Sequence, residues 1–239
     1  MKVWDAWKYD EWFAPPIIAG PHPAVTEAER YLIDQHIERH PFFAYAASSR
    51  EALTTWVSQE IVVTGFFSQA LLRVAALISN VHLRTMMMKV IEGEHGRLDD
   101  NTARWSHPWL LHKLRQSLNV DVAQIRVLEE TREFVDIMHG ECGTPLRGVA
   151  ALGMGNERLL LPEYAALRGA FEQCWPDCGY KGFLDANLNA DAEHARLLGV
   201  IASALIERGG DPEVYLRAAR RSVDSRIRYH DRLLSRFQV

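Results

Sequence analysis

Apolar residues recur along this 239-residue chain at intervals of three and four. That spacing lines one face of an α-helix, and no stretch shows the alternation of a half-buried strand. The pattern predicts a short helix over residues 26–39, with Thr26 and Glu29 as a capping box and Pro41 as its stop. A long helix follows over residues 48–77, opened by Ser48 with Glu51 and carrying the stripe Leu53, Trp56, Val57, Thr64, Phe67 and Leu71. The next covers residues 80–95 on Leu83, Met87, Val90 and Ile91. Another starts near Ser106 with Trp109, Leu110, Leu111, Leu114 and Leu118.

A short polar helix is expected around residues 122–139, and Gly140, Gly143 and Pro145 break it. Beyond the break Leu146, Ala150, Gly153, Leu160, Tyr164 and Phe171 share a face, and Pro162 should kink the helix. After a turn-rich connection over residues 174–181, a helix through Leu184, Leu188, Leu198, Ile201 and Leu205 ends at Gly209, Gly210 and Pro212. An arginine-rich amphipathic helix over residues 212–237 closes the chain. Ahead of all these, residues 1–25 combine Trp4, Trp7, Trp12 and Phe13 with Pro15, Pro16, Pro21 and Pro23, the makings of an extended aromatic arm packed across the body. The expectation is one all-α domain over residues 1–239, without repeat or linker.

Composition narrows the partners. With 48% apolar and 24% charged residues and a net charge of −4, there is no basic surplus to attract nucleic acid or anionic membrane. No apolar run reaches the ~18–20 residues of a membrane span, and Asp5, Lys8, Asp10 and Glu11 do not belong in a signal peptide. The three cysteines, Cys142, Cys174 and Cys178, suit a reducing compartment, so a cytoplasmic protein is expected. Cys174 and Cys178 lie one residue too far apart for a metal hairpin.

The chemistry lies in polar residues that fall on apolar faces. Glu60 fills a gap in the first long stripe, and extending the Leu83–Met87 register reaches Glu94, whereas a neighbouring register reaches Glu92 and His95. Glu157 shares the face of Leu146 and Tyr164, while Arg158, Glu163 and Arg168 do not. Asn187, Asp191 and His194 share the face of Leu198 and Ile201. Bundles that bind two irons use a carboxylate from each of two helices and a carboxylate-x-x-His pair from each of two others. Glu60, Glu92 with His95, Glu157, and Asp191 with His194 fit that formula. Carboxylates with imidazole and no thiolate favour iron or manganese over zinc. The competing explanation is a set of separate buried ion pairs to Arg73, Arg97 or Arg147, each with its own desolvation cost.

Several segments resemble one family. Ser49-Arg50-Glu51-Ala52-Leu53, Glu94-His95-Gly96, Ser106-His107-Pro108-Trp109-Leu110-Leu111 and Asp191-Ala192-Glu193-His194-Ala195 are similar to stretches of the heme-oxygenase-like diiron oxidases and oxygenases, relatives of the thiaminase II and pyrroloquinoline-quinone synthase fold. The resemblance spans roughly residues 30–235 and implies an all-α, heme-oxygenase-like bundle of about seven to eight helices. It implies the metal ligands Glu60, Glu94, His107, Glu157, Asp191 and His194, with Fe(II), two ions per chain, and O2 as co-substrate. Glu94 with His107 is preferred to Glu92 with His95 because Glu94 continues the stripe of Leu83 and Met87. Asn187 stands where the family usually has histidine, and an amide is a weak ligand.

The implied substrate is a small carboxylate-bearing molecule, an amino acid or natural-product precursor ahead of a fatty acid undergoing oxidative decarboxylation. Hydrogen abstraction, N-oxygenation and C–C cleavage are the reactions in view. Arg220, Arg221 and Arg228 are candidates to clamp the carboxylate. An external electron donor and a homodimer are further expected partners. A cofactor-independent enzyme of the thiaminase II type would need a nucleophile such as Cys142 in the cavity, and a metal-free helical binding protein would need none of these ligands.

Overall fold

The computed structural model describes residues 9–16, 20–96 and 106–238, and every regular element among them is helical. The path runs α1 (Tyr9–Phe13), α2 (Pro23–Asp34), α3 (Pro41–Ala46), α4 (Arg50–Leu77), α5 (Val81–His95), α6 (His107–Ser117), α7 (Glu129–Glu141), α8 (Pro145–Leu152), α9 (Leu159–Cys174), α10 (Tyr180–Glu207) and α11 (Pro212–Ser235). A π-helical segment, Gly153–Arg158, joins α8 to α9 without a break. The architecture is the all-α bundle that the resemblance implies, with the short α1 and α3 added to the expected set.

The capping chemistry refines the predicted boundaries. The first expected helix begins earlier, at Pro23, whose fixed φ suits an opening turn. His22 Nδ1 caps it by accepting from the Ala24 N–H at 3.1 Å. It stops at Asp34, because His36 takes a left-handed φ of 48° before a 3-10 turn at Ile37–Arg39. Pro41 then opens α3 as well as ending what precedes it. On α4 the cap is Ser49, not Ser48, its Oγ accepting from the Ala52 N–H at 3.1 Å. Asn80 caps α5 through the Leu83 N–H at 3.1 Å.

The aromatic arm is not wholly extended, since Tyr9–Phe13 forms a helical turn. Trp4 and Trp7 lie outside the described residues. The arm is fastened by one side-chain amide: Asn80 Nδ2 donates to the carbonyls of Glu11 (2.9 Å), Trp12 (3.2 Å) and Ala14 (3.0 Å). Arg208 also donates to the Glu11 and Ala14 carbonyls.

The run α8–π–α9 threads the middle of the bundle. It packs against α10 along one side and α11 along another, while α4 lies against α5, α6, α7 and α8. Leu53, Trp56, Val57, Leu71 and Val74 of α4 are all fully buried. Among the described residues α4 is the one helix long and apolar enough, by length and composition, to cross a membrane, which corrects the expectation that no such run exists. Part of its apolar surface, including Leu53, Trp56, Phe67 and Leu71, is buried within the bundle, while Leu72 and Leu77 are exposed. Trp56 contacts Tyr164 edge-on at 5.9 Å and Phe171 at 6.3 Å, and Tyr164 meets Phe183 at 5.6 Å. Tyr164 carries this aromatic layer to the wall of the polar cavity described next.

Candidate metal centre

Four helical segments each deliver a carboxylate to one interior cavity. Glu60 comes from α4, Glu94 from the last turn of α5, Glu157 from the π segment and Asp191 from α10. They line a space of about 20 Å³ together with His107, Asn187, Asn156, Tyr164, Val63, Thr64, Phe67 and Leu160. That is room for a water molecule or an ion. Glu60, Glu94, Glu157 and Asp191 are each at most 2% exposed, so solvent cannot neutralise them.

Within this set, ligand atoms of Glu94, Glu157, Asp191 and His194 all lie within 4.8 Å of one another. His194 Nδ1 is 3.4 Å from Glu94 Oε1 and 3.4 Å from Glu157 Oε2. His107, the first residue of α6, brings Nδ1 to 2.8 Å from Glu94 Oε1. Close as these groups are, none of Glu94 Oε1, Glu157 Oε1, Asp191 Oδ2 and His194 Nδ1 makes a well-aligned hydrogen bond: all four are buried, and the short His107 and His194 contacts bring charges together without the angles of a hydrogen bond. Buried polar atoms normally find partners. Four such atoms converging from two helices and a π segment are the donor set a cation would satisfy, and their carboxylate and imidazole chemistry suits iron or manganese.

The local electrostatics carry the same imbalance. Burial pushes the Asp191 carboxyl well above the usual range, and Glu157 and Glu94 push it further. Burial also raises Glu157, helped by Glu94 and opposed by His194. Burial works against the charged forms of Glu94 and His194 as well, but His107 and His194 hold Glu94 down to about 2, and Glu157 and Glu94 lift His194 to about 10. Without a cation, protons must supply the missing positive charge.

The six expected ligands therefore divide. Glu94, Glu157, Asp191 and His194 converge, and His107 touches Glu94. Glu60 lines the same cavity but turns its carboxylate elsewhere: Oε1 accepts from the Tyr164 hydroxyl at 3.0 Å and Oε2 from Arg226 at 2.9 Å. Asn187 also lines the cavity, and its Nδ2 donates to the Phe183 carbonyl at 2.7 Å. Of the second pair considered, Glu92 lies on the exposed side of α5, and His95 Nδ1 sits 3.1 Å from the Ile91 carbonyl. The ion-pair explanation fails for Arg73 and Arg147, which go to His139 and Glu141; Arg97 lies outside the described residues.

Glu163 and Arg226 were not expected here. The periodicity puts Glu163 off the buried face, yet it and Arg226 are both 0% exposed. Arg226 donates Nε to Glu163 Oε2 at 2.9 Å and an NH2 proton to Glu163 Oε1 at 2.5 Å. His230 Nε2 lies 3.1 Å from Glu163. The guanidinium also faces the Tyr229 and Phe134 rings at 5.0 and 5.2 Å. Of the arginines expected to point inward, Arg228 is exposed, Arg220 binds Glu27 and Arg221 approaches Glu141 from the surface.

The model for a family of iron-containing redox enzymes matches residues 54–227. The chain belongs to this family. The matched span runs from the first third of α4 into α11 and contains every carboxylate and histidine of the cavity. No curated protein matches the chain. Among solved structures, a CADD-like protein of unknown function from Nostoc punctiforme PCC 73102 superposes with a TM-score of 0.69 at 17% identity, covering 89% of this chain and 96% of the other. A TenA homologue from P. horikoshii OT3 superposes with a TM-score of 0.65 at 15% identity, covering 87% and 97%. At such identities the likeness is one of fold.

Proposed function

We propose that the chain is an O2-dependent non-heme iron oxidase or oxygenase that acts on a small carboxylate-bearing substrate, an amino acid or natural-product precursor. One observation carries this reading: four buried ligand atoms within 4.8 Å of one another, none in an aligned hydrogen bond, meet in a chain of a family of iron-containing redox enzymes. Glu94, Glu157, Asp191 and His194 would hold the metal, with His107 beside Glu94 as a further donor or as the group that fixes its carboxylate. Ferrous iron supplies the electrons that reduce O2, which is chemistry that side chains alone lack.

The remaining wall residues exclude and orient. Val63, Phe67 and Leu160 close the cavity with apolar surface, which keeps bulk water from the reacting atoms. Thr64 is shared with a neighbouring cavity of about 270 Å³ between α4 and α6, lined by Ile61, Pro108, Leu111, His112 and Arg115. In this reading that space receives the substrate, and the Arg115 guanidinium meets its carboxylate. The fold shared with the TenA homologue raises a cysteine-dependent alternative, but Cys142 does not line the metal cavity. Cys142 is fully buried at the end of α7.

Anaerobic loading of purified apoprotein with Fe(II), followed by metal analysis and measurement of O2 consumption, tests the proposal. Tight Fe(II) uptake and chelator-sensitive O2 consumption are expected. Absence of uptake, or turnover indifferent to chelator, overturns it.

A further inference from the structure

We infer that the chain holds one tightly bound metal ion rather than two, because the carboxylate that a second ion would need already accepts a hydrogen bond on each oxygen, from the buried Arg226 guanidinium and from Tyr164. The inference rests on the iron-site reading above and concerns how the donors are divided.

The cavity has two kinds of donor. Glu94 Oε1, Glu157 Oε1, Asp191 Oδ2 and His194 Nδ1 are buried without an aligned hydrogen bond. Glu60 has a hydrogen bond on each oxygen, from Tyr164 and from Arg226. Drawing Glu60 toward a metal would break the charge-assisted bond to Arg226. It would leave that guanidinium, 0% exposed, paired to Glu163 with one buried N–H stripped of its acceptor, and an unmade buried hydrogen bond is costly.

Arg226 cannot follow Glu60, since two further hydrogen bonds and two aromatic rings fix it. A divalent ion drawn to Glu60 would therefore face a fixed positive charge one carboxylate away, in a setting with little solvent screening. The other side of this subsite is Asn187, whose amide carries no charge and whose Nδ2 is committed to the Phe183 carbonyl. Neither residue supplies an uncommitted anionic donor, whereas Glu94, Glu157 and Asp191 supply three.

The test is metal stoichiometry, read by native mass spectrometry and anaerobic calorimetry with Fe(II), and with Mn(II) as a redox-quiet probe, on the full chain. Wild type is expected to bind one equivalent tightly and a second at least about 100-fold more weakly. Glu60→Gln preserves shape, its amide oxygen can accept from Arg226 while its NH2 donates to the Tyr164 hydroxyl oxygen in a reversed bond, and the first equivalent should keep its affinity within about threefold. Glu157→Gln should weaken it by more than about 100-fold. The double variant Arg226→Met with Glu163→Leu removes the buried pair as a unit and should admit a second equivalent.

Two equivalents of similar affinity in wild type, or loss of the first in Glu60→Gln, would overturn the inference while leaving the iron-site reading standing. A double variant that still takes one equivalent overturns the role given to Arg226. No uptake by wild type overturns both readings.

Discussion

Gly93 and His194 pack so closely that a Cβ on Gly93 would lie 2.3 Å from His194 Nε2 and 2.7 Å from Cε1. The absent side chain on α5 is what lets the imidazole lie flat against that helix and direct Nδ1 at Glu94 and Glu157. Gly93→Ala should therefore turn the ring and weaken binding of the first Mn(II) or Fe(II) equivalent by roughly 10–100-fold. Calorimetry with circular dichroism as a folding control decides it. Unchanged affinity in a folded variant would remove His194 from the ligand set.

The crowding of carboxylates should cost the metal-free protein stability. In chelator, Glu157→Gln and Asp191→Asn each remove a buried acid whose ionised form burial disfavours. A gain on the order of 1 kcal/mol, or about 2–4 °C in thermal midpoint, is expected. With Fe(II) present the order should reverse, since wild type gains binding free energy that the variants lack. Scanning calorimetry under the two conditions measures this, and variants that melt lower than wild type in chelator would contradict it.

Acid should act through a different carboxylate. Burial opposes the charged form of Glu163, but Arg226 and His230 hold it down to about 2, from an ordinary 4.5. A carboxyl depressed on folding contributes stability that is present above the unfolded value of 4.5 and is lost as pH falls toward about 2. Glu163→Gln should flatten the loss of stability in that window. It should also cost about 3–5 kcal/mol at neutral pH, because Arg226 loses its bidentate partner. Urea melts between pH 2 and 7 compare the slopes; identical slopes would assign the acid sensitivity elsewhere.

Thiol chemistry should be confined to the surface. Burial pushes the Cys142 thiol up to about 12, and Cys174 is only partly buried. At pH 8 a thiol reagent should label Cys174 first and reach Cys142 only on unfolding. Cys142→Ser should retain metal uptake and O2 consumption, and loss of turnover with the metal still bound would revive the nucleophile reading.

Helix placement is legible in this sequence because the long helices keep apolar stripes and some carry recognisable caps, as at Ser49 and Asn80. The convergence of Glu94, Glu157, Asp191 and His194 is legible for the same reason: an acid in an apolar register faces inward. Register reports burial, however, and not which of two neighbouring polar clusters a side chain joins. Glu60 lines the metal cavity and still bonds Arg226. Arg226 itself was open to the same test, since it falls in the stripe of Tyr215, Ser222, Val223, Tyr229 and Leu233, all buried. Its abundance of arginine neighbours disguised it as part of a solvated face. Glu163 was hidden by a false premise, that residues 146–171 form one α-helix with one buried side. The central run is instead buried on several sides, and its phase changes at the π segment.

That phase change has an evolutionary consequence. A π turn accommodates an extra residue within an α-helix, and each residue of an α-helix turns the chain by about 100°. Deleting one residue from Gly153–Arg158 would yield a more regular helix while rotating Glu163 and Tyr164 away from Arg226 and Glu60. Single-residue deletions there would be purged even though they improve local hydrogen bonding. The wide turn acts as a frame shift in three dimensions, allowing the two polar clusters to coexist on one continuous rod.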